Sequence, residues 1–387
     1  MSEDIEKWLV LANARILGPQ AAELVRHFGS VNAVLRAGTR ALCEAGITIT
    51  AAERVAKPDK AAIEKALTWR EAPQCHIVPF GSDDYPELLQ QISDAPTLIY
   101  VNGNPDALHL PGLAIVGSRN PTRGGLQNAH DFAAHLGQAG FSILSGLAQG
   151  IDTAAHEGAL AAGATTVAFL GHGIDRIYPA DNRDLAHRII EHGALISEYP
   201  LGSSPRAEHF PERNRLISGC SLGTLVVEAA KRSGSLITAR LASEQGREIF
   251  AIPGSIHNTL SRGCHQLIRQ GAKLVESADD IVSELGPIVE HLSGQLMQNE
   301  NTADATPDLS DDRDDEYKLL IEALGHDPVT ANEIAGKCGL TIEQVSSMLL
   351  ILELEGQIET LDGGQYSLLG SKSWHERERT RRTDVPV

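Results

Sequence analysis

The 387 residues carry 33 Lys and Arg against 51 Asp and Glu, a net charge of −18, and 42% of them are hydrophobic. That balance fits a soluble globular protein of two or three domains. It excludes a protein that coats nucleic acid over its whole surface, so any nucleic-acid site must be a local patch. No apolar run approaches the ~20 residues of a membrane helix, and the first residues lack a basic-then-apolar export signal. The five cysteines, at 43, 75, 220, 264 and 338, are scattered without metal-binding spacing. A reducing cytoplasm is the expected location, with no membrane contact and no metal.

Residues 1–72 read as all-helical, with Ala and Leu at helical spacing and short Gly or Pro breaks. Within them, Leu17-Gly18-Pro19-Gln20 and the following Phe28-Gly29-Ser30 resemble a helix-hairpin-helix of a SAM-like helical domain, a motif that can hold a DNA phosphate on glycine amides. Only Arg15, Arg26 and His27 could supply charge nearby, so a helical interaction domain without DNA contact is the preferred reading.

From residue 76 the period changes. Runs at 76–80 and 98–101 read as strands, and apolar strands follow at 113–116, 141–144, 166–170, 194–197, 225–227 and 249–252, mostly separated by helical stretches, with a last short strand at 273–275. Repeated βα units of this kind predict an α/β fold, an extended Rossmann-like, doubly wound parallel sheet spanning 76–290. Residues 276–322 then hold fourteen Asp and Glu against two Lys and Arg; the polar stretch 293–313 within them is expected to be a flexible acidic linker. In residues 314–370, helices are expected at 317–324, 330–337 and 341–355. Strands at 357–361 and 365–368 would flank an Asp-Gly-Gly turn. Three helices and a β-wing make a winged helix. Its third helix lacks Lys and Arg, which suits a protein-contact module better than a duplex reader. Residues 371–387 form a charged tail, expected to be disordered.

The chemistry concentrates at the loops that follow the strands, the edge where open α/β sheets bind ligands. Gly117 permits a tight turn after the first strand, Ser118 can donate to an anion, and Arg119 adds a guanidinium. The second turn, 145–152, holds Gly146, Gly150 and Asp152, and is followed by His156; a helix cap and a packed histidine are the preferred reading of that pair. Loops containing Tyr178 and Tyr199 end later strands at the same edge. Between residues 203 and 273 ten Lys and Arg face five Glu, a local +5 in an acidic chain. There is no G-x-G-x-x-G, no Walker loop, no G-x-S-x-G elbow and no H-E-x-x-H. The pattern predicts anion binding without a cofactor rather than turnover.

These motifs, taken together, resemble a known family. Val-Gly-Ser-Arg at 116–119, Ser-Gly-Leu-Ala-x-Gly-Ile-Asp at 145–152, Ser-Glu-Tyr-Pro-Leu-Gly at 197–202, Phe-Pro-x-Arg-Asn-Arg-x-Ile-Ser-Gly at 210–219, Ser-Gly-Ser-Leu-Ile-Thr-Ala-Arg at 233–240 and Gly-Cys-His-x-Leu-Ile-Arg-Gln-Gly-Ala at 263–272 are similar to those of the DprA/Smf family of bacterial DNA-processing proteins. The resemblance implies a homodimer that binds single-stranded DNA, protects it, and loads the recombinase RecA onto it in natural transformation or recombination, without being an enzyme. It also implies DNA-binding roles for Gly117, Ser118, Arg119, Phe210, Arg213, Asn214 and Arg215, with Lys231 and Arg240 as lesser contacts. Arg119→Ala, or charge reversal at Arg213 or Arg215, is accordingly expected to abolish most DNA binding without unfolding. Two positions depart from the family pattern: His172 stands where a threonine is usual, and Ala180 where several members have a lysine. A second resemblance competes. Ser221-Leu222-Gly223-Thr224 followed by Glu228 is similar to the Gly-Gly-x-Gly-Thr-x-x-Glu loop of nucleoside-monophosphate phosphoribohydrolases, although the leading glycines are absent and the Glu lies one residue late.

Overall fold

The computed structural model describes residues 2–300 and, beyond them, 320, 324, 329–338, 345, 348–349, 358–361 and 365–368. The chain divides into two compact units, Met1–Gln295 and Leu296–Val387.

The first unit opens with six helices, α1 (Ser2–Asn13), α2 (Gly18–Phe28), α3 (Val31–Arg36), α4 (Gly38–Glu44), α5 (Ile49–Ala56) and α6 (Lys60–Arg70). Their starts follow the local sequence: the side chains of Ser30, Thr48 and Asp59 each accept from the backbone N–H three residues on, at 3.1–3.3 Å, which satisfies a donor that the first turn would otherwise leave open. Leu9, Leu11, Leu24 and Leu42 are buried and share one cluster with Tyr100, Leu170 and Ile189 of the α/β part. Gly18 N–H donates to the carbonyl of Ala95 at 2.7 Å. The glycine amide that a helix-hairpin-helix would offer to a phosphate is therefore spent on a contact with the α/β part.

That part is one nine-stranded sheet: β1 (Cys75–Pro79), β2 (Leu98–Gly103), β3 (Gly112–Val116), β4 (Ser142–Ser145), β5 (Thr166–Leu170), β6 (Ala194–Ser197), β7 (Gly223–Val226), β8 (Glu248–Ala251) and β9 (Lys273–Leu274). The order is β1-β2-β6-β5-β4-β3-β7-β8-β9. The helices along it are α7 (Glu87–Gln90), α8 (Arg123–Gln138), α9 (Ile151–Ala161), α10 (Arg183–His192), α11 (His209–Gly219), α12 (Ser235–Glu244), α13 (Arg262–Arg269) and α14 (Asp279–Glu300). β6 through β9 in that order pair in parallel. All five residues of β3 are buried, as a central strand covered on both faces requires. From β3 the chain winds outward through β4, β5 and β6 on one side, then returns to lay β7, β8 and β9 on the other. The reversal places a topological switch point between the C-terminal ends of β3 and β7.

Two expectations change. The sheet is mixed, not parallel throughout: β2 runs antiparallel to β6, and β1 to β2. β1 and β2 lie within one connected stretch ahead of the βα repeats, and strands joined without a crossover over the sheet face pair antiparallel. The basic motif 210–219 forms the helix α11. Residues 293–300 of the expected linker belong to α14, which is anchored by buried Ile281 and Leu285; the Asp280 carboxylate ties the preceding turn to its first turn, accepting from Glu276 and Ser277 N–H at 2.9 Å. The rest of that linker, 301–313, and the tail 371–387 lie outside the described residues.

In the second unit, β10 (Val329–Thr330) precedes α15 (Ala331–Cys338), and β11 (Ile358–Leu361) pairs antiparallel with β12 (Gln365–Leu368) in the order β10-β12-β11. Thr330 and Glu333 cap α15 reciprocally: the Glu333 carboxylate accepts from Thr330 N–H at 2.9 Å, and Thr330 Oγ1 accepts from Glu333 N–H at 3.4 Å. Leu320, Ile334, Val345 and Leu349 share a buried cluster. The helices expected at 317–324 and 341–355 otherwise lie outside the described residues.

Candidate functional site

At the switch point, the loops after β3, β4, β5, β6 and β7, together with α11 and the first turn of α12, surround a cleft of 960 Å³. The loop after β3 is held from two sides. Ser118 Oγ accepts from Asn120 N–H at 3.1 Å, and Ser118 carbonyl accepts from Ile151 N–H at 3.1 Å. Gly117 packs so closely on Ile151 that a Cβ there would overlap it. Gly150 has φ +87° and faces the backbone of Ser118 and Arg119, so both conformation and space require glycine. Leu147, with φ 55°, is buried in the same second loop, a conformation that costs an ordinary side chain and persists only where packing enforces it.

This frame leaves Arg119 exposed. Its guanidinium carbon lies 5.5 Å from the centre of the Phe210 ring, within cation–π range. The Phe210 ring in turn lies 5.8 Å from that of Tyr178, which is 50% exposed. His172 closes the row edge-on to Tyr178, at 6.4 Å. The row therefore combines a cation with two accessible aromatic faces along the rim of one cleft. His172 is itself buried, with its Nδ1 3.0 Å from Gly173 carbonyl, and burial lowers its pKa.

Arg213 lines the same cleft from below. It is 3% exposed, and its Nη1 donates to Gly146 carbonyl at 2.8 Å and also to Phe169 carbonyl. Its Nε has no hydrogen-bond partner among the described residues. Burial lowers its pKa to about 10, opposed by the neighbouring Asp152, so the guanidinium stays charged at neutral pH. Asp152 accepts from Gly146 N–H at 3.1 Å and Ala148 N–H at 3.4 Å, and burial raises its pKa despite Arg213. Asp152 thus braces the loop ahead of its own helix, and His156 is fully buried against Thr166 at 2.7 Å.

The expected residues divide. Gly117, Ser118, Arg119, Phe210, Arg213 and Asn214 all line this cleft. Arg215 does not. It lies on another side of α11, where it pairs with Glu198 through two 2.7 Å bonds and with Asp94 at 3.0 Å, its side chain 10% exposed. Helical spacing explains the split, because positions two apart point to different faces. Lys231 is exposed beside the cleft without lining it, and Arg240 pairs with Glu244 at 3.5 Å on the outside of α12. Sequence alone assigns no role to Tyr178 or Arg206, yet both line the cleft; the signal for Tyr178 is its place in a loop at the same sheet edge. Glu228 is 8% exposed, and its carboxylate accepts from Thr122 N–H at 2.9 Å and Thr122 Oγ1 at 2.7 Å. Among the described residues no group of three or more His, Cys, Asp or Glu could hold a metal ion, and no helix is long and apolar enough to cross a membrane.

A family model described as DNA recombination-mediator protein A matches residues 76–286, all of this sheet but its first residue, and a DprA winged-helix model matches residues 303–364. The chain belongs to this family. Protein Smf of Escherichia coli strain K12 is 38% identical over 385 residues, covering 99% of this chain and all of that protein. The crystal structure of DNA processing protein A from Streptococcus pneumoniae superposes with a TM-score of 0.64 at 38% identity, covering 73% of this chain and 98% of that one. DNA processing protein A from Helicobacter pylori, whose structure is described for its single-stranded DNA binding mode, has a TM-score of 0.50 at 28% identity and covers 55% and 95%. Family membership carries a role in DNA processing and recombination mediation, on a Rossmann-like core with a C-terminal winged helix.

Proposed function

We propose that the chain binds single-stranded DNA along the switch-point cleft and, as a homodimer, protects it and loads RecA onto it during natural transformation or recombination. The row Arg119–Phe210–Tyr178 carries the reading. A single strand offers phosphates and open base faces together; a guanidinium serves the first and aromatic rings the second, without reading sequence. A duplex hides its base faces, so the row favours single strands. Arg119, Phe210 and Asn214 are the proposed contacts, with the Gly117–Ser118 backbone shaping the approach and Arg213 supplying charge beneath. Lys231 and Arg240 act at most at the margin.

The Helicobacter pylori relative supports the choice of ligand. RecA loading rests on the family resemblance. Self-association rests on the same resemblance. Binding without hydrolysis is supported by Glu228, whose carboxylate is occupied by Thr122.

The test is fluorescence anisotropy with labelled single-stranded and duplex oligonucleotides over a salt series. Single-strand preference with a log–log slope of about −2 to −4 is expected, for three to five neutralised phosphates. Absence of binding at low salt would overturn the reading. RecA loading is tested separately, as faster RecA assembly on strands already coated by a single-strand-binding protein, and self-association by sedimentation.

A further inference from the structure

We propose that the bound strand continues past Tyr178 into a second cleft, where Trp69 stacks a base and Arg176 and Arg183 take phosphates. The proposal rests on the reading of the first cleft as a single-stranded DNA site. The second cleft has a volume of 580 Å³ and is lined by Trp69, Asp175, Arg176, Ile177, Arg183 and His187, among others. That volume falls in the range of small-ligand sites.

Its charge is not balanced from within. Asp175 is the one carboxylate among the described lining residues; it already pairs with Lys65 at 2.8 Å and accepts from Gly202 N–H at 2.7 Å. Arg183 and His187 make no hydrogen bond or ion pair among the described residues, and Arg176 has one bond of 3.3 Å to Ser204 Oγ. Two exposed guanidiniums lacking a carboxylate partner, in a chain of net charge −18, form a local anion site. Trp69 is half-buried and held edge-on to the buried Tyr100 at 5.9 Å, so it enters the cleft already ordered, and stacking on it costs little side-chain entropy.

Position supplies the second argument. Ile177 lines this cleft and Tyr178 the first, so a single peptide unit separates the two. Arg176 is tied to Ser204, two residues before Arg206, which lines the first cleft. The loop that presents the stacking ring of one cleft therefore forms a wall of the other. A single strand following this ridge meets an aromatic ring and a guanidinium on both sides of it.

The experiment compares oligothymidylates of about 5 and about 20 nucleotides, bracketing the usual single-strand site sizes, on the full chain. The doubly substituted Arg176→Gln, Arg183→Gln chain should bind the short strand as wild type does. For the long strand its salt slope should fall by about 1.4 and its affinity at 0.15 M salt by roughly tenfold, for two lost phosphates. The long strand alone should quench tryptophan emission, and Trp69→Phe should remove that quench. Unchanged long-strand affinity and slope in the double variant, or a quench that persists in Trp69→Phe, would overturn the proposal. If the unsubstituted chain binds neither length, the reading of the first cleft fails as well, and the two failures are thereby told apart.

Discussion

Arg119 and Arg215 belong to similar-looking basic motifs, yet the structure gives them opposite consequences on substitution. Arg215→Ala removes a guanidinium that is 10% exposed and leaves Glu198, 16% exposed, without either of its two 2.7 Å partners. Breaking a buried pair from one side costs about 3–5 kcal/mol, because the remaining carboxylate stays desolvated and unpaired. The 3.0 Å contact to Asp94, itself 45% exposed, adds little. In a unit of this size that loss lowers the melting temperature by roughly 5–10 °C. Single-strand affinity, measured by anisotropy well below the transition, should stay near the unsubstituted value. Arg119→Ala is the mirror case: exposed and, among the described residues, in contact only with a ring face, it should leave melting unchanged. Its loss should cut the salt slope by about 0.7 and affinity roughly fourfold at 0.15 M salt, for one phosphate, in addition to any loss of order at Phe210. An Arg215→Ala protein that melts normally but binds tenfold more weakly would refute this division. It would restore the expectation drawn from the motif alone, that both arginines of 213–215 touch DNA.

Phe210→Ala should weaken single-strand binding by about 1–3 kcal/mol, the usual worth of a stacked base, while Phe210→Trp retains it; equal affinities for Ala and Trp would remove stacking from the account. Gly150→Ala should destabilise the first unit by at least about 1–2 kcal/mol, from the left-handed backbone alone, with urea denaturation as the readout. Burial holds the pKa of His156 down to about 3, with Arg213 acting in the same direction, so the folded protein keeps it neutral where the unfolded chain, titrating near 6.5, takes up a proton. Its contribution to stability is therefore complete above pH ~6.5 and lost as pH falls toward 3, by about 1.4 kcal/mol per pH unit. His156→Gln should show a shallower loss between pH 6.5 and 5, and a parallel loss would refute the assignment. Incubation with nucleoside monophosphates should release no base, and turnover that vanishes in Glu228→Gln would overturn the binding-only reading.

Much of this protein is legible along the chain. Strands at 166–170 and 194–197 are continuous apolar runs, and buried parallel strands need no more than that to be read. The glycine-bearing loops after β3 and β4 announce themselves because tight turns and close backbone approach restrict residue type locally. The family, too, is carried by motifs within short windows. What tertiary structure decided is which of those residues share a surface. Arg213, Asn214 and Arg215 are adjacent in sequence, but the helix sends Arg213 under the cleft and Arg215 to Glu198, 17 residues away in sequence. Glu228 resembles a catalytic carboxylate until Thr122, 106 residues distant, is found hydrogen-bonded to it. Tyr178 and Phe210 become a pair only when the ends of two different strands are brought to one edge. The reversal of β2 against β6 likewise depends on where the sheet has room for a strand. Local propensity sets each element; long-range packing and the partner each charge finds there set its role.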